Sequence, residues 1–245
     1  GAAATLTGTL AACGTTPAQT TPTAGGSAAP SAAATTGAAA TGEKITAAIS
    51  YQLGTNGYDP MTTSAALTQA ANWHTMEGLT EIHPATREVY AALGADLPTK
   101  VDDTTYEVTL RDGAVFHDGS PVTTDDVEFS FARVLDPANK SLYATFIAFV
   151  DSVTKKDDTT VTVKLKYPFS LVAERLSVVK IFLKTTDEAD AKAFDLNPIG
   201  SGPYKMTDNG AASQKLVFEK FDTYTGQYPA RVKTMEWQVI PDDST

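Results

Sequence analysis

The sequence is poor in the residues from which metal and redox sites are built. Cys13 is the only cysteine among 245 residues, and the three histidines, His74, His83 and His117, lack metal-type spacing such as HExxH. A single cysteine excludes an intrachain disulfide and any site with several thiolate ligands. We therefore expect neither a metal ion nor a cofactor, and we interpret each histidine as a surface or locally hydrogen-bonded side chain.

Positive charge and long apolar runs are also scarce. The chain has 19 Lys and Arg against 29 Asp and Glu, a net charge of −10. Because such a surface repels a phosphate backbone, nucleic acid is excluded as a partner. No window reaches the roughly 18 to 20 consecutive apolar residues of a membrane-spanning helix. A hydrophobic content of 42% is still enough for a core, so we predict a largely globular chain.

Motifs typical of enzymes are missing too. The sequence DLNPIGSGPYKM (195–206) contains Gly200-Ser201-Gly202, but it has neither the G-x-S-x-G of a nucleophile elbow nor the G-K-[ST] of a phosphate-binding loop. Asp125 and Asp126 are better explained as carboxylates at a helix start than as a general acid and base. We expect no enzymatic activity, and the glycine turn could be a hinge or a plain turn.

The first 42 residues predict an anchor and a tether. Leu10-Ala11-Ala12-Cys13 resembles the lipobox of bacterial lipoproteins, so residues 1–12 are interpreted as the end of a signal peptide and Cys13 as the lipidated residue. From residue 15 to 42 every residue except Gln19 is Ala, Thr, Pro, Ser or Gly. Such a segment cannot bury enough surface to offset its ordering entropy, which makes 13–42 a disordered tether. The alternative is a chance cysteine in an Ala/Thr-rich stretch.

From Glu43 onward, strand and helix patterns alternate without a strict repeat, which predicts α/β or α+β architecture. In the second predicted helix, Thr123 is a good N-cap, Asp126 stands at capping-box spacing, and Asp136-Pro137 ends the helix. The predicted strands are 44–53, 104–111, 161–168, 215–221 and 234–240, with a hairpin-like strand at 112–121, and the predicted helices are 64–79, the one after Thr123, and 169–179.

Tyr143, Phe146 and Phe149 follow one another at three-residue spacing in SLYATFIAFVDS (141–152). Such a stripe indicates either core packing or a platform for a ligand, because both use aromatic surface. The same two interpretations apply to Trp73 and Trp237.

Several of these stretches together resemble a known family. LRDGAVFHDGSPVTTDDVEFSFARVLDP (110–137), DLNPIGSGPYKM and LVFEKFDTYTGQYPARVKTMEWQVIPD (216–242) occur in the order and spacing of the family 5 extracellular solute-binding proteins of ABC importers. This group includes the dipeptide- and oligopeptide-binding proteins. NGYDPMTTSAALTQAANWHTMEGL (56–79) is similar to the family's Asp-Pro loop and the helix after it. The resemblance covers nearly all of residues 43–245.

The resemblance implies an α/β, periplasmic-binding-protein-like (type II) two-lobe fold. Residues 43–60 and 184–245 are expected to form an incomplete lobe I, and residues 61–183 its inserted subdomain. The family's chains are longer, so this chain is expected to be an N-terminal fragment that stops where lobe I passes to lobe II. On this map, Gly200-Ser201-Gly202 is a rigid turn that returns the chain to the lobe I sheet, because Pro198 and Pro203 fix φ and the glycines permit positive φ.

The function implied is that of a monomeric lipoprotein on the extracellular face of the bacterial cytoplasmic membrane. It would capture peptides by lobe closure and deliver them to an ABC permease. Ligand contacts are expected at Thr63, Ser64 and Ala65 after the Asp-Pro loop, with Tyr143, Phe146 and Phe149 as further candidates. The alternatives left open are another cargo (an oligosaccharide, a nickel chelate or haem) and a surface interaction domain without a transport role.

Overall fold

A computed structural model describes residues 42–50, 57–185, 195–197 and 199–240. The predicted signal peptide end, Cys13 and all of the tether except Gly42 lie outside the described residues. In chain order the elements are strand β1 (Lys44–Ile49), helix α1 (Ala66–Thr75), strands β2 (Thr80–Ile82), β3 (Val89–Ala91), β4 (Thr99–Asp102) and β5 (Thr105–Thr109), helix α2 (Thr124–Leu135), a 3-10 turn (Pro137–Asn139), strands β6 (Val150–Lys155) and β7 (Thr160–Leu165), helix α3 (Val172–Leu176), and strands β8 (Tyr204–Asn209), β9 (Lys215–Lys220) and β10 (Thr234–Val239).

The first sheet joins distant parts of the chain. Its order is β1-β10-β9-β8, with β1 parallel to β10 and the other pairs antiparallel. Alternation along the strands buries Leu216 and Phe218 of β9 beside Trp237 of β10. Helix α1 packs Leu67 and Ala71 into the same core. The strands predicted at 215–221 and 234–240 are confirmed, and the one predicted at 44–53 is confirmed over Lys44–Ile49.

The second sheet is local in sequence. Its order is β4-β5-β7-β6, all antiparallel. Val161 and Val163 are fully buried on one face, against Val127 and Phe131 of α2. Burial of a side chain such as Phe131 stabilises the fold by about 2 kcal/mol. The strands predicted at 104–111 and 161–168 are thereby confirmed as β5 and β7.

Helix α2 has the predicted start and end. The Thr123 hydroxyl accepts from the Asp126 backbone N–H (3.3 Å), and the Asp126 carboxylate accepts from the Thr123 N–H (2.9 Å), which completes the capping box. The other Asp126 oxygen accepts from the backbone N–H of Lys184 at 2.9 Å. The helix ends at Leu135, before Asp136-Pro137. The capping residues therefore also hold the segment that leaves the second sheet.

Three predicted elements differ from the structure. Helix α1 ends at Thr75 rather than near Gly78, and α3 is only Val172–Leu176 rather than 169–179. Residues 112–121 form turns with one isolated bridge, between Val115 and Pro121, instead of a strand. Two glycines with positive φ, Gly113 and Gly119, place tight turns near both ends of this segment.

The Gly200-Ser201-Gly202 turn leads into β8, as expected, but the predicted reason for its glycines is wrong. Among the described residues, the glycines with positive φ are Gly57, Gly113, Gly119 and Gly210. A Cβ on Gly200 would instead lie 2.0 Å from the carbonyl oxygen of Thr75, and one on Gly202 would lie 2.6 Å from that of His74. Glycine is needed because the turn packs directly on the backbone at the end of α1.

The boundaries predicted for lobe I and its inserted subdomain stay predictions. The strands of the first sheet all lie within 43–60 and 184–245, and those of the second sheet lie within 61–183. Helix α1, however, belongs by sequence to the predicted subdomain and packs in the core of the first sheet.

Candidate functional site

A cleft of about 600 Å³ lies beside α1. One wall comes from the end of α1, including Trp73, and another from the β2–β3 hairpin, including Arg87 and Tyr90. The loop between β9 and β10 adds Tyr228 and Arg231. A concave site with aromatic lining and a few polar groups is the usual form of a small-molecule site.

The Asp-Pro loop before α1 is held by a buried carboxylate. Asp59 accepts hydrogen bonds from the Met61 N–H (2.9 Å) and the Thr62 hydroxyl (2.8 Å). Both terminal nitrogens of Arg133, on α2, donate to its two oxygens at 3.0 Å. Such a bidentate pair fixes geometry as well as charge. No local pattern predicts this pair, because its members are 74 residues apart.

The loop delivers some of the predicted ligand-contacting residues to the cleft. Thr63 lines the cleft, as does Tyr143, whose hydroxyl donates to the Thr63 carbonyl oxygen at 3.3 Å. The Thr63 hydroxyl accepts from the Ala65 N–H at 3.1 Å. Ser64 is exposed and Ala65 half-buried, and neither lines this cleft. The structure thus brings Thr63 and Tyr143 together, and a role for all four in ligand binding stays a prediction.

The two phenylalanines of the aromatic stripe lie elsewhere. Phe149 is 3% exposed and stacks on Phe169 with ring centres 4.0 Å apart, inside the core of the second sheet. Phe146 is half-exposed and does not line the cleft. For Phe149 this position favours the core interpretation of the stripe, and its contact with a ligand stays a prediction.

A buried carboxylate, Glu77, organises the inner end of the cleft. Arg111 donates to both of its oxygens, at 2.9 and 2.8 Å, and the hydroxyls of Tyr224 and Ser201 donate at 2.8 and 3.1 Å. Burial and the adjacent Glu77 carboxylate raise the pKa of Tyr224. The partners are 34, 147 and 124 residues away, so sequence reasoning could not find this network. It fixes four segments around the cleft at once.

A second charged pair lies beside it. The Lys180 ammonium donates to the Glu81 carboxylate, which also accepts from the Gly78 N–H at 2.8 Å. Both side chains line the cleft and are largely buried. The carboxylates on this side of the cleft are therefore already neutralised within the protein.

The two tryptophans have opposite environments. Trp237 is 8% exposed and packs against Phe218 with ring centres 4.6 Å apart. Trp73 is 65% exposed and lines the cleft. Of the two interpretations, core packing holds for Trp237, whereas Trp73 presents aromatic surface to the cleft.

The histidines are placed differently from one another. His83 is locally bonded, as predicted, since its Nδ1 accepts from the Thr86 N–H at 3.1 Å. His117 is buried rather than on the surface, and its Nε2 donates to the carbonyl oxygen of Gly202 at 2.9 Å. Burial lowers its pKa to about 4. His74 packs edge-on against Tyr204, and burial lowers its pKa as well. The surface interpretation is thus wrong for His117.

Two further findings concern the described ranges alone. Within them, no three His, Cys, Asp or Glu side chains come together as a metal ion would require. No helix in that part of the chain is both long and apolar enough to span a bilayer.

Comparison with solved structures identifies the fold. The Listeria monocytogenes OppA structure, described as bound to peptide, superposes with a TM-score of 0.74 at 20% identity, covering 81% of this chain and 43% of that one. This similarity confirms the α/β, type II periplasmic-binding-protein-like architecture expected from the sequence.

Curated relatives agree with this assignment. Protein XP55 of Streptomyces lividans is 34% identical over 160 residues, which is 64% of this chain and 29% of that protein. The dipeptide-binding protein DppE of Bacillus subtilis is 28% identical over 189 residues, 69% of this chain and 34% of that protein. The chain thus spans about a third of the length of these relatives.

Residues 88–245 match the sequence profile described as bacterial extracellular solute-binding proteins, family 5, middle region. The matched segment runs from the β2–β3 hairpin past β10, so it contains the second sheet, most of the first sheet and much of the cleft lining. The chain therefore belongs to the family 5 bacterial extracellular solute-binding proteins.

Proposed function

We propose that this chain is the first-lobe part of a substrate-binding protein that captures peptides for an ABC importer and catalyses no reaction. The observation that carries the proposal is family membership combined with the similarity to DppE, a dipeptide-binding protein, over 69% of the chain. The cleft is compatible with this role, because it combines exposed aromatic surface with polar groups.

The cleft supplies one wall of the site in this proposal. A ligand gains affinity when it is enclosed and desolvated on all sides. Because the chain spans about a third of its relatives, the opposite wall would come from a second lobe. Binding then favours the closed arrangement of the lobes, and the permease recognises that arrangement.

Thr63, Ser64 and Ala65 would contact the ligand through backbone groups. The Asp59–Arg133 pair supports this role, since it holds the loop in one conformation before any ligand arrives. Tyr143 would contribute its ring face on the same side of the cleft, while Phe146 and Phe149 would cover the ligand only if the loop around them shifts.

The location belongs to the same proposal. A diacylated Cys13 followed by the 13–42 tether would hold a monomeric receptor on the extracellular face of the cytoplasmic membrane, because two acyl chains give stable anchoring. Mass spectrometry of the membrane fraction tests this step. A Cys13→Ser variant released into the medium would support it, and an unmodified cysteine in membrane-bound protein would contradict it.

Calorimetric titration with defined di- and oligopeptides tests the main proposal. The 245-residue chain and a version extended through the second lobe are compared, with melting temperature as a second readout. We expect tight binding in the extended version and weak or no binding in the chain alone. Binding in neither would remove peptides as the cargo and turn the search to oligosaccharides, nickel chelates or haem, or to an interaction domain.

A further inference from the structure

The cleft lining carries two cations that no carboxylate of the described residues neutralises. Glu77 is paired with Arg111, and Glu81 with Lys180. Arg87 and Arg231 also line the cleft and are exposed, and neither pairs with a carboxylate in the ranges that the structure describes. On a chain with a net charge of −10, two arginines at one cleft without a carboxylate partner among the described residues form a local positive field.

Arg87 occupies a backbone position that suits glycine. It is the last residue of the β2–β3 hairpin loop and has φ of 64°. Hydrogen bonds from the His83 N–H to the Glu88 carbonyl oxygen and from the Arg87 N–H to the His83 carbonyl oxygen, both 2.8 Å, fix this loop. Four residues, 84–87, lie between the paired His83 and Glu88, and the left-handed position that ends this loop favours glycine, because a side chain there costs free energy. The presence of arginine at this unfavourable position indicates that its side chain has a function.

Aromatic contacts bring the two arginine-bearing loops together. Tyr228, three residues before Arg231, packs edge-on against Tyr90 of the hairpin, with ring centres 4.8 Å apart. It also contacts the ring of His83, four residues before Arg87, at 5.3 Å. Both guanidinium groups are thus carried by segments that are packed against each other beside one cleft.

We propose that Arg87 and Arg231 form an anion subsite that binds a carboxylate of the ligand. The inference rests on the proposed function and narrows it to peptides that present a carboxylate at this wall. A guanidinium binds carboxylate through two parallel hydrogen bonds, which favours arginine over a point charge for this purpose. The carboxylate could belong to an acidic side chain or to the peptide's C-terminus.

Four peptides separate these sources: Ala-Glu-Ala and Ala-Gln-Ala, each as the free acid and as the C-terminal amide. They are titrated into the protein extended through the second lobe, in the wild type and in the variants Arg87→Gly and Arg231→Gln. We expect a preference of about tenfold either for Glu over Gln or for free acid over amide. Each variant should reduce that preference to about threefold or less, and added salt should weaken it in the wild type.

The matched control is Lys140→Gly. Lys140 is exposed, lies outside the cleft lining and also has positive φ, 51°, so this change removes one charge and one side chain from the same backbone conformation. The control should leave the preference unchanged, and Arg87→Gly should melt no lower than wild type because glycine relieves the left-handed backbone.

Three results would overturn the inference. The wild type could bind all four peptides equally well, which would show that no carboxylate is selected. Both arginine variants could weaken all four peptides by the same factor, which would assign the arginines to contacts within the protein. If none of the peptides binds, the proposed function itself fails, and the inference fails with it.

Discussion

The two sheets differ in how far apart in sequence their strands lie. The second sheet is formed entirely within residues 99–165, by neighbouring hairpins and one helix between them. In the first sheet, Lys44 of β1 lies opposite Thr234 of β10. Local pairing can form early at low entropic cost, whereas pairing β1 with β10 must close the long loop between Lys44 and Thr234. The first sheet therefore depends on contacts that the second can do without.

The turn that leads into β8 gives the largest expected effect. In Gly200→Ala the new Cβ would lie 2.0 Å from the Thr75 carbonyl oxygen, a backbone atom that cannot move aside alone. We expect a loss of more than about 4 kcal/mol of stability. Amide hydrogen exchange should show β8 and β10 losing protection before β5 and β7.

Gly42→Ala is the matched control for that substitution. Its Cβ would make an ordinary contact, 3.7 Å from a methyl carbon of Val232. We expect its unfolding midpoint in urea to stay near that of the wild type. Equal destabilisation by the two substitutions would mean that close backbone packing at Gly200 is not what joins the turn to α1.

Removing the charge of Glu77 should have the next largest effect. Glu77→Gln leaves the Arg111 guanidinium largely buried without its carboxylate, and we expect a cost of about 3 kcal/mol by chemical denaturation. The comparison is Lys44→Met, which breaks a more exposed pair with Glu236 and should shift the denaturation midpoint far less, because solvent screens this pair. Similar costs for the two would contradict the buried, organising role of Glu77.

His117 should make the contact between its turn and Gly202 sensitive to acid. Burial lowers its pKa from 6.5 to about 4 in the folded protein, so between these values the unfolded chain binds the proton more readily. The lowered pKa of His117 contributes up to about 3 kcal/mol to the free energy of unfolding. This contribution is fully present above pH 6.5 and is lost as the pH falls through about 4. Melting curves across this range should show the loss, and His117→Gln, which keeps a donor for Gly202, should show a shallower slope.

The smallest of these effects concerns the cap of α2, beside the second sheet. Thr123→Ala removes the hydroxyl that accepts from the Asp126 N–H, and we expect a loss of about 1 kcal/mol. Thr123→Ser should retain most of the stability. Because the cap stabilises only local structure, the amides of β6 and β7 should lose protection from hydrogen exchange while those of the first sheet stay protected. If β1 lost protection first, the two sheets would not be independent in stability.

The parts of the fold that could be predicted are those encoded by local pattern. Strands β5, β7, β9 and β10 alternate over five or six residues, and α2 carries its cap and its stop in sequence. Strands β2 and β3 have three residues each, too few to show a period of two. The prediction consequently missed this hairpin, and Arg87 with it.

The candidate site was predictable only where it lies close to a motif. Thr63 follows the Asp-Pro loop and lines the cleft, and its contact with a ligand stays a prediction. Glu77 and Arg111 meet through tertiary packing, and no periodicity or propensity reports such a contact. Gly200 and Gly202 show a related limit. A glycine in a sequence can be required by a positive φ or by a neighbouring backbone that leaves no room for a Cβ, and the sequence does not distinguish these two reasons.

The parallel pairing of β1 with β10 bears on how the polypeptide is made. A ribosome releases β1 long before β10, so the first sheet cannot be completed until nearly all 245 residues have emerged. Premature termination before Thr234 would expose the side of β9 that pairs with β10 and leave β1 without its strand partner in this sheet, and such open edges promote aggregation. Strand β1 can therefore pair in the first sheet only after the chain has been translated through β10.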